Sequence, residues 1–265
     1  MVLINDQKKT APSLSSEQIN AWQSQGYLKV PDLFNEGEVT NLEDSIKRIE
    51  ATTMSPNEAI LHYHEAIRGA KRKSRSERFI GSLSWLDNFI LNGKMIGVVE
   101  QLFGERALLF KEKINYKYPD GGGFDPHQDA AAYNFGDFHI TCLIAPKPIS
   151  LENGCLFLAQ GEHRCGLLPT NSRRCLKTNV AEAMRWQPVL TNPRDALFFG
   201  SYTPHYSPTN KSEEARRALY LTFNPASSGN LRAEYYSQRD ERLAAAKHEN
   251  IKLISTIQHF NGKTI

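Results

Sequence analysis

No run of roughly 18 apolar residues occurs in the chain, so no membrane-spanning helix is expected. Charge of one sign is also missing: 32 Lys and Arg stand against 29 Asp and Glu, a net +3. The longest basic cluster, Lys71, Arg72, Lys73, Arg75 and Arg78, is interrupted by two serines and a glutamate. A nucleic-acid partner needs a larger patch interleaved with aromatics. None is expected, and the cluster reads as a solvated loop, with the lining of an anionic substrate site as the alternative. Cysteine is scarce. Cys142, Cys155, Cys165 and Cys175 stand at neither zinc-type nor redox spacing. With no apolar export segment after Met1, four reduced thiols and a cytoplasmic location are expected. Internal repeats and low-complexity stretches are absent too.

What the chain does have is 265 residues, enough for one domain with a self-sufficient core. Residues 1–14 lack periodicity and are expected to be a flexible tail. Ser15 with Gln18 makes a capping box, Ile19 and Trp22 follow at helical spacing, and Gly26 closes the helix before a short strand from Tyr27. Asn35 with Glu38 caps a second helix whose Val39, Leu42, Ile46 and Ile49 form an apolar stripe for the core. The polar stretch 52–80 reads as an exposed or lid-like segment; its His62 and His64 make a weak second metal pair. A further helix is expected over 86–103, closed by Gly104. Strands follow at 108–117, 138–145, 154–158, 188–190, 196–199 and 217–223. Helices followed by short strands imply an α+β chain with an antiparallel barrel or sandwich. The flank at 15–104 is mainly helical, the strand core is 105–225, and 226–265 is an extension; within 224–265 the second half reads as helical. The polar stretch 162–186 reads as an insertion over the barrel mouth.

One constellation carries chemistry. His127 and Asp129 are two residues apart, so on an extended strand they share a face. Gly121, Gly122 and Gly123 precede them and permit close backbone approach. His205 follows the apolar Ala196, Leu197, Phe198 and Phe199, and would add a third ligand. Two histidines and one carboxylate leave coordination positions open, as non-haem Fe(II) oxygenases require for a chelating co-substrate and O2. A bare His-x-Asp is equally a strand histidine bonded to a neighbouring carboxylate, so the pair needs this support. Arg216 lies 11 residues beyond His205 at the start of a strand-like run. Its guanidinium can fork onto the far carboxylate of a dicarboxylate.

These residues resemble the phytanoyl-CoA dioxygenase family of Fe(II)- and 2-oxoglutarate-dependent oxygenases. The resemblance extends from the segment around Gln25, Gly26 and Tyr27, through Glu152, Asn153 and Gly154 and through Gly161 to Arg164, to His205 and Arg216. It implies a double-stranded β-helix (jelly-roll) core with flanking helices. It implies Fe(II) on His127, Asp129 and His205, 2-oxoglutarate on Arg216, and contacts to that co-substrate from Lys117, Ser207 and Gln128. Because Asp129 is intact, hydroxylation or another iron-oxo oxidation, and not halogenation, is implied. Within the family, the stretch from Phe110 to Tyr133 is similar to the branch acting on small aminophosphonates, which implies hydroxylation of 2-aminoethylphosphonate at C1. Asp125, Tyr133 and Asp137 are then candidates for its ammonium end, and Arg78, Arg173 and Arg174 for its phosphonate end; each is equally ordinary surface charge. An acyl-CoA, an amino acid or a natural-product intermediate remain alternative substrates, and a non-catalytic metal-binding barrel is the rival from another class. The segment from Pro146 to Ser150 departs from the family pattern, and no function attaches to it.

Overall fold

Two reciprocal caps start the chain's first two helices. The Ser15 hydroxyl accepts the Gln18 N–H at 3.2 Å while the Gln18 side chain accepts the Ser15 N–H at 2.9 Å, opening α1 (Ser16–Gln25). Asn35 and Glu38 do the same for α2 (Glu36–Ala51), whose Leu42, Ile46 and Ile49 are buried. Gly26 ends α1 at φ 81° and turns the chain into β1 (Tyr27–Val30). The computed structural model describes residues 11–53, 60–133, 138–248 and 259–265.

The structure departs from the sequence pattern in the stretch 52–80 and in the helix at 86–103. The stretch read as a lid contains the hairpin β2 (Leu61–Ile67) and β3 (Ala70–Glu77), turned at Arg68 and Gly69, both with positive φ. Its charged residues hid a strand pattern because the face they line is itself charged. The helix expected over 86–103 is two, α3 (Ser84–Asn92) and α4 (Lys94–Phe103), broken at Gly93. A Cβ there would lie 2.1 Å from the Phe89 carbonyl oxygen, so this sharp break requires glycine.

The remaining elements are β4 (Ala107–Lys117), β5 (Phe124–His127), β6 (Ile140–Ile144), β7 (Leu156–Ala159), α5 (Thr178–Glu182), β8 (Trp186–Val189), β9 (Ala196–Gly200), β10 (His205–Ser207), β11 (Arg216–Pro225) and α6 (Arg232–His248). The helix α6 lies mainly in the first half of the C-terminal extension; the helical pattern expected in its second half falls largely at 249–258, outside the described residues. Every strand pair is antiparallel. The larger sheet has the order β1-β9-β6-β11-β4-β3-β2 and the smaller β5-β10-β7-β8. They face one another as a jelly roll: Leu143, Leu197, Phe199, Ala218 and Tyr220 of the larger sheet pack with Leu156, Leu158 and Val189 of the smaller. The other face of the larger sheet, including Leu219, Leu221 and Phe223, packs against Trp22, Leu42, Ile46, Phe89, Ile90 and Val98 of α1–α4. This alternation along β11 decides which charged residues enter the barrel. Among the described residues, no helix is long and apolar enough to cross a membrane.

Candidate active site

β5 and β10 pair so that His127 and His205 are directly opposite across the smaller sheet. Asp129 is not on the strand, as expected from the sequence, but opens a 3-10 turn over Asp129–Ala132 just beyond its end. One ligand atom from each of the three lies within 4.8 Å of the other two, and all three side chains are buried. The His127 Nδ1–H donates to the Asp125 carbonyl at 2.7 Å and the His205 Nδ1–H to the Thr203 carbonyl at 3.0 Å. A carbonyl only accepts, so the proton is on Nδ1 and the Nε2 lone pair is left for a metal. Burial lowers the pKa of both imidazoles, that of His127 to well below the usual range with His205 beside it, which favours the neutral form that can offer a lone pair to a metal. Burial alone would raise the Asp129 pKa, but the Lys111 and Lys113 ammoniums overcome this and keep it ionised. Neutral imidazoles and an ionised carboxylate are the donor set a divalent iron takes.

β11 places Arg216 on the barrel-facing side with Ala218 and Tyr220, and turns Arg217 the other way. Arg217 pairs with Glu50 of α2 at 2.6 Å. Arg216 is buried, its Nη1–H donates to the Gly154 carbonyl, and its Nε and Nη2 have no partner among the described residues. Two unpaired parallel donors suit a carboxylate. Lys117 sits opposite Arg216 across the strand pair and donates to Ser207 Oγ at 2.9 Å. Burial, then the Arg216 charge, pushes the Lys117 pKa well down, which an incoming anion would reverse. Ser207 lines the same cavity as His127, Asp129 and His205. These residues fit a dicarboxylate reaching from Arg216 towards a metal on the triad.

Gln128 departs from the expected co-substrate contact. It faces away from its neighbours on either side: Nε2 donates to the carbonyls of Gly166 and Tyr202 at 2.8 and 2.7 Å, and Oε1 accepts the Leu168 N–H at 2.8 Å. It staples the 162–186 insertion beside the ligand segment, leaving no polar atom for a co-substrate.

The expected substrate residues are mostly elsewhere. Arg78 lies over the Tyr236 ring at 4.4 Å and pairs with Asp240 at 2.6 Å. Arg173 and Asp125 pair with one another at 2.9 Å, both part-exposed, and Arg174 donates to the Ala131 carbonyl at 3.3 Å. These charges tie the insertion to the ligand segment. Tyr133 does reach the site, its ring 4.7 Å from Lys111 Nζ. Asp137 lies outside the described residues.

Of the charges that do converge, the sequence marks Asp129 as a site residue and Arg75 only as the alternative reading of its basic cluster; Glu77, Lys111, Lys113 and Arg239 carry no such mark. One cavity is lined by Asp129 together with Arg75 and Glu77 of β3, Lys111 and Lys113 of β4, Tyr235 and Arg239 of α6, and His259. Lys111, Lys113, Asn115 and Lys117 alternate along the barrel-facing side of β4, opposite Thr222, Tyr220, Ala218 and Arg216. Neither Lys111 nor Lys113 makes a hydrogen bond or ion pair among the described residues; their ammoniums lie over the rings of Tyr133 and Tyr220. A signal was available: lysines at alternate positions of a central strand must face something polar. His259 stacks 4.0 Å from the His127 ring and its carbonyl accepts the Asp125 N–H at 2.8 Å. That segment passes so close that a Cβ on Gly122 would lie 2.5 Å from Gly262 Cα.

A sequence model of the family "Phytanoyl-CoA dioxygenase (PhyH)" matches residues 22–218. A methylphosphonate hydroxylase of Gimesia maris is 40% identical over 254 residues, 95% of this chain and 97% of that protein. A 2-aminoethylphosphonate dioxygenase of an uncultured bacterium is 33% identical, across 86% of this chain and 88% of that one. Among solved structures, EctD from S. alaskensis with 2-oxoglutarate and 5-hydroxyectoine is 16% identical and superposes with a TM-score of 0.69, covering 85% of this chain and 82% of that one. The protein is a dioxygenase that uses Fe(II) and takes 2-oxoglutarate and O2 as co-substrates. Fold, donor set and sequence agree: the chain belongs to the phytanoyl-CoA dioxygenase family.

Proposed function

We propose that the protein hydroxylates a small phosphonate, 2-aminoethylphosphonate or a close analogue, at the carbon bonded to phosphorus. In this reading His127, Asp129 and His205 hold Fe(II), and Arg216, with Lys117 and Ser207 beside it, holds the distal carboxylate of 2-oxoglutarate. The bound iron and co-substrate supply the oxidising power, with succinate and CO2 as by-products. The protein's own residues bind and orient. The Nδ1–H bonds to Asp125 and Thr203 fix both imidazole rings. Lys111 and Lys113 hold the substrate anion so that its carbon faces the metal. The barrel and the 162–186 insertion exclude water.

One observation carries this reading: two lysines without a hydrogen-bond or ion-pair partner among the described residues, Lys111 buried and Lys113 half-buried, line the cavity that Asp129 also lines. An unmatched buried ammonium is costly, and a phosphonate supplies the missing charge. The names of the two bacterial relatives agree with it. A cytoplasmic setting belongs to the same reading and rests on the free thiols. The test is succinate release from 2-oxoglutarate across methylphosphonate, 2-aminoethylphosphonate, amino acids and acyl-CoA thioesters, with products identified by phosphorus NMR. Coupled formation of a 1-hydroxyphosphonate is the expected outcome. Coupled turnover of a thioester or amino acid with phosphonates inert would overturn the substrate and leave the iron chemistry standing.

A further inference from the structure

The phosphonate reading leaves the role of the C-terminal helix open. α6 begins beyond residues 22–218, the part of the chain that matches the family. It is fastened to the barrel by Arg232, which pairs with Glu112, by the Tyr236 hydroxyl on Glu112 at 3.2 Å, and by Asp240 on Arg78. Tyr235 and Arg239 are four residues apart and so share a helix face; both line the cavity that holds Lys111, Lys113 and Asp129.

Arg239 is 2% exposed although it comes from a predominantly polar helix. Its Nη2 pairs with Glu77 at 2.7 Å and also donates to the Tyr63 hydroxyl. The other Glu77 oxygen lies 3.3 Å from Arg75 Nη1, so one carboxylate holds two guanidiniums side by side. Because the guanidinium is planar, fixing Nη2 also fixes the direction of Nη1. That Nη1 is buried and has no acceptor among the described residues. The cavity charges count the same way. Arg75, Lys111, Lys113 and Arg239 are four cations; Glu77 and Asp129 are two carboxylates, and Glu112 is matched by Arg232. With Lys113 protonated, four minus two leaves an excess of two positive charges, the complement of a fully ionised phosphonate, which on binding would itself favour the charged lysine.

We propose that Arg239 is a substrate-binding residue whose Nη1–H donates to a phosphonate oxygen, so that α6 sets the preference for a doubly charged tetrahedral anion over a carboxylate. Glu77 and Tyr63 are positioning residues for it. The proposal rests on the phosphonate reading and goes beyond it by making the pocket depend on an element outside the jelly roll.

The test is calorimetric titration of methylphosphonate into the enzyme loaded with Fe(II) and 2-oxoglutarate under anaerobic conditions, where binding is read without turnover. Arg239→Gln is expected to raise the methylphosphonate Kd by about tenfold or more, the scale of one charge-assisted hydrogen bond. It should leave 2-oxoglutarate affinity unchanged and lower the preference for methylphosphonate over acetate. Arg239→Lys restores part of the affinity. Tyr63→Phe keeps the charge but frees the guanidinium, and raises Kd by a smaller factor; these two variants decide the matter if Arg239→Gln does not fold. Unchanged methylphosphonate affinity in the folded variants overturns the proposal, as does an equal loss of 2-oxoglutarate affinity. Wild-type enzyme that neither binds nor hydroxylates any phosphonate overturns the functional reading itself. Wild-type turnover with indifferent Arg239 variants overturns only the role of α6.

Discussion

His127 and His205 face one another across β5 and β10 with ring centroids 4.2 Å apart, and each donates Nδ1–H to the carbonyl two residues before it. The same local device thus aims two Nε2 lone pairs from separate strands into one site.

Loss of either ring should remove the metal. His127→Ala is expected to lower Fe(II) affinity by about 100-fold or more, since loss of even an outer-shell partner costs 10–100-fold. Metal content after gel filtration and succinate formation are the readouts. A chelator should abolish turnover of the wild-type protein, and added Fe(II) should restore it.

Arg216 and Arg217 are adjacent but face opposite sides of β11, which separates their effects. Arg216→Lys replaces a fork by a point charge and should raise the KM for 2-oxoglutarate by roughly 10–100-fold. Arg217→Lys disturbs the part-buried pair with Glu50 and the contact with the Tyr118 ring, costing about 1–3 kcal/mol of stability, with 2-oxoglutarate KM unchanged. Paired kinetics and urea denaturation of the two variants distinguish them.

Burial, with Lys111 and Arg75 nearby, pushes the Lys113 pKa down to about 7. Its folded pKa lies below its unfolded one, so the cost of keeping it charged is fully present below about pH 7 and fades as pH rises towards the unfolded pKa. Lys113→Met should therefore stabilise the iron-free protein at pH 6, by roughly 2–5 kcal/mol at 1.4 kcal/mol per unit. The gain should shrink by pH 9, while phosphonate binding is lost. Urea denaturation at the two pH values, with calorimetry alongside, checks both the sign and the trade of stability for binding.

Gln128→Leu should loosen the insertion without touching a ligand. Three backbone groups lose their partner, each worth about 1–3 kcal/mol if left buried and unmatched. Hydrogen exchange across 162–176 is expected to quicken, with the substrate KM raised more than the 2-oxoglutarate KM. Exchange confined to other regions would assign Gln128 a different role.

Much of the architecture was written in local pattern. The caps at Ser15 and Asn35 and the apolar runs of β6, β9 and β11 act through near neighbours, where local pattern and side-chain chemistry suffice. That only one of Arg216 and Arg217 turns inward was legible from strand alternation, and the resemblance to the family selected Arg216. The substrate end was not. Arg75 and Glu77 sit on a hairpin whose alternation is charged against charged, which looks like a solvated loop unless the facing surface is known. Arg239 is 110 residues from Asp129, and nothing local marks it out from the other arginines of α6. Arg78, Arg173 and Arg174 were nearer in sequence, yet their partners Asp240, Asp125 and Ala131 engage them outside the cavity. The caps and the order of helices and strands are set by short-range patterns, so the sequence alone determined them and the identity of the three metal-binding candidates; their meeting depends on the pairing of β5 with β10. Which cations share a cavity depends on how β3, β4 and α6 pack together across long separations, and only the tertiary structure decided that.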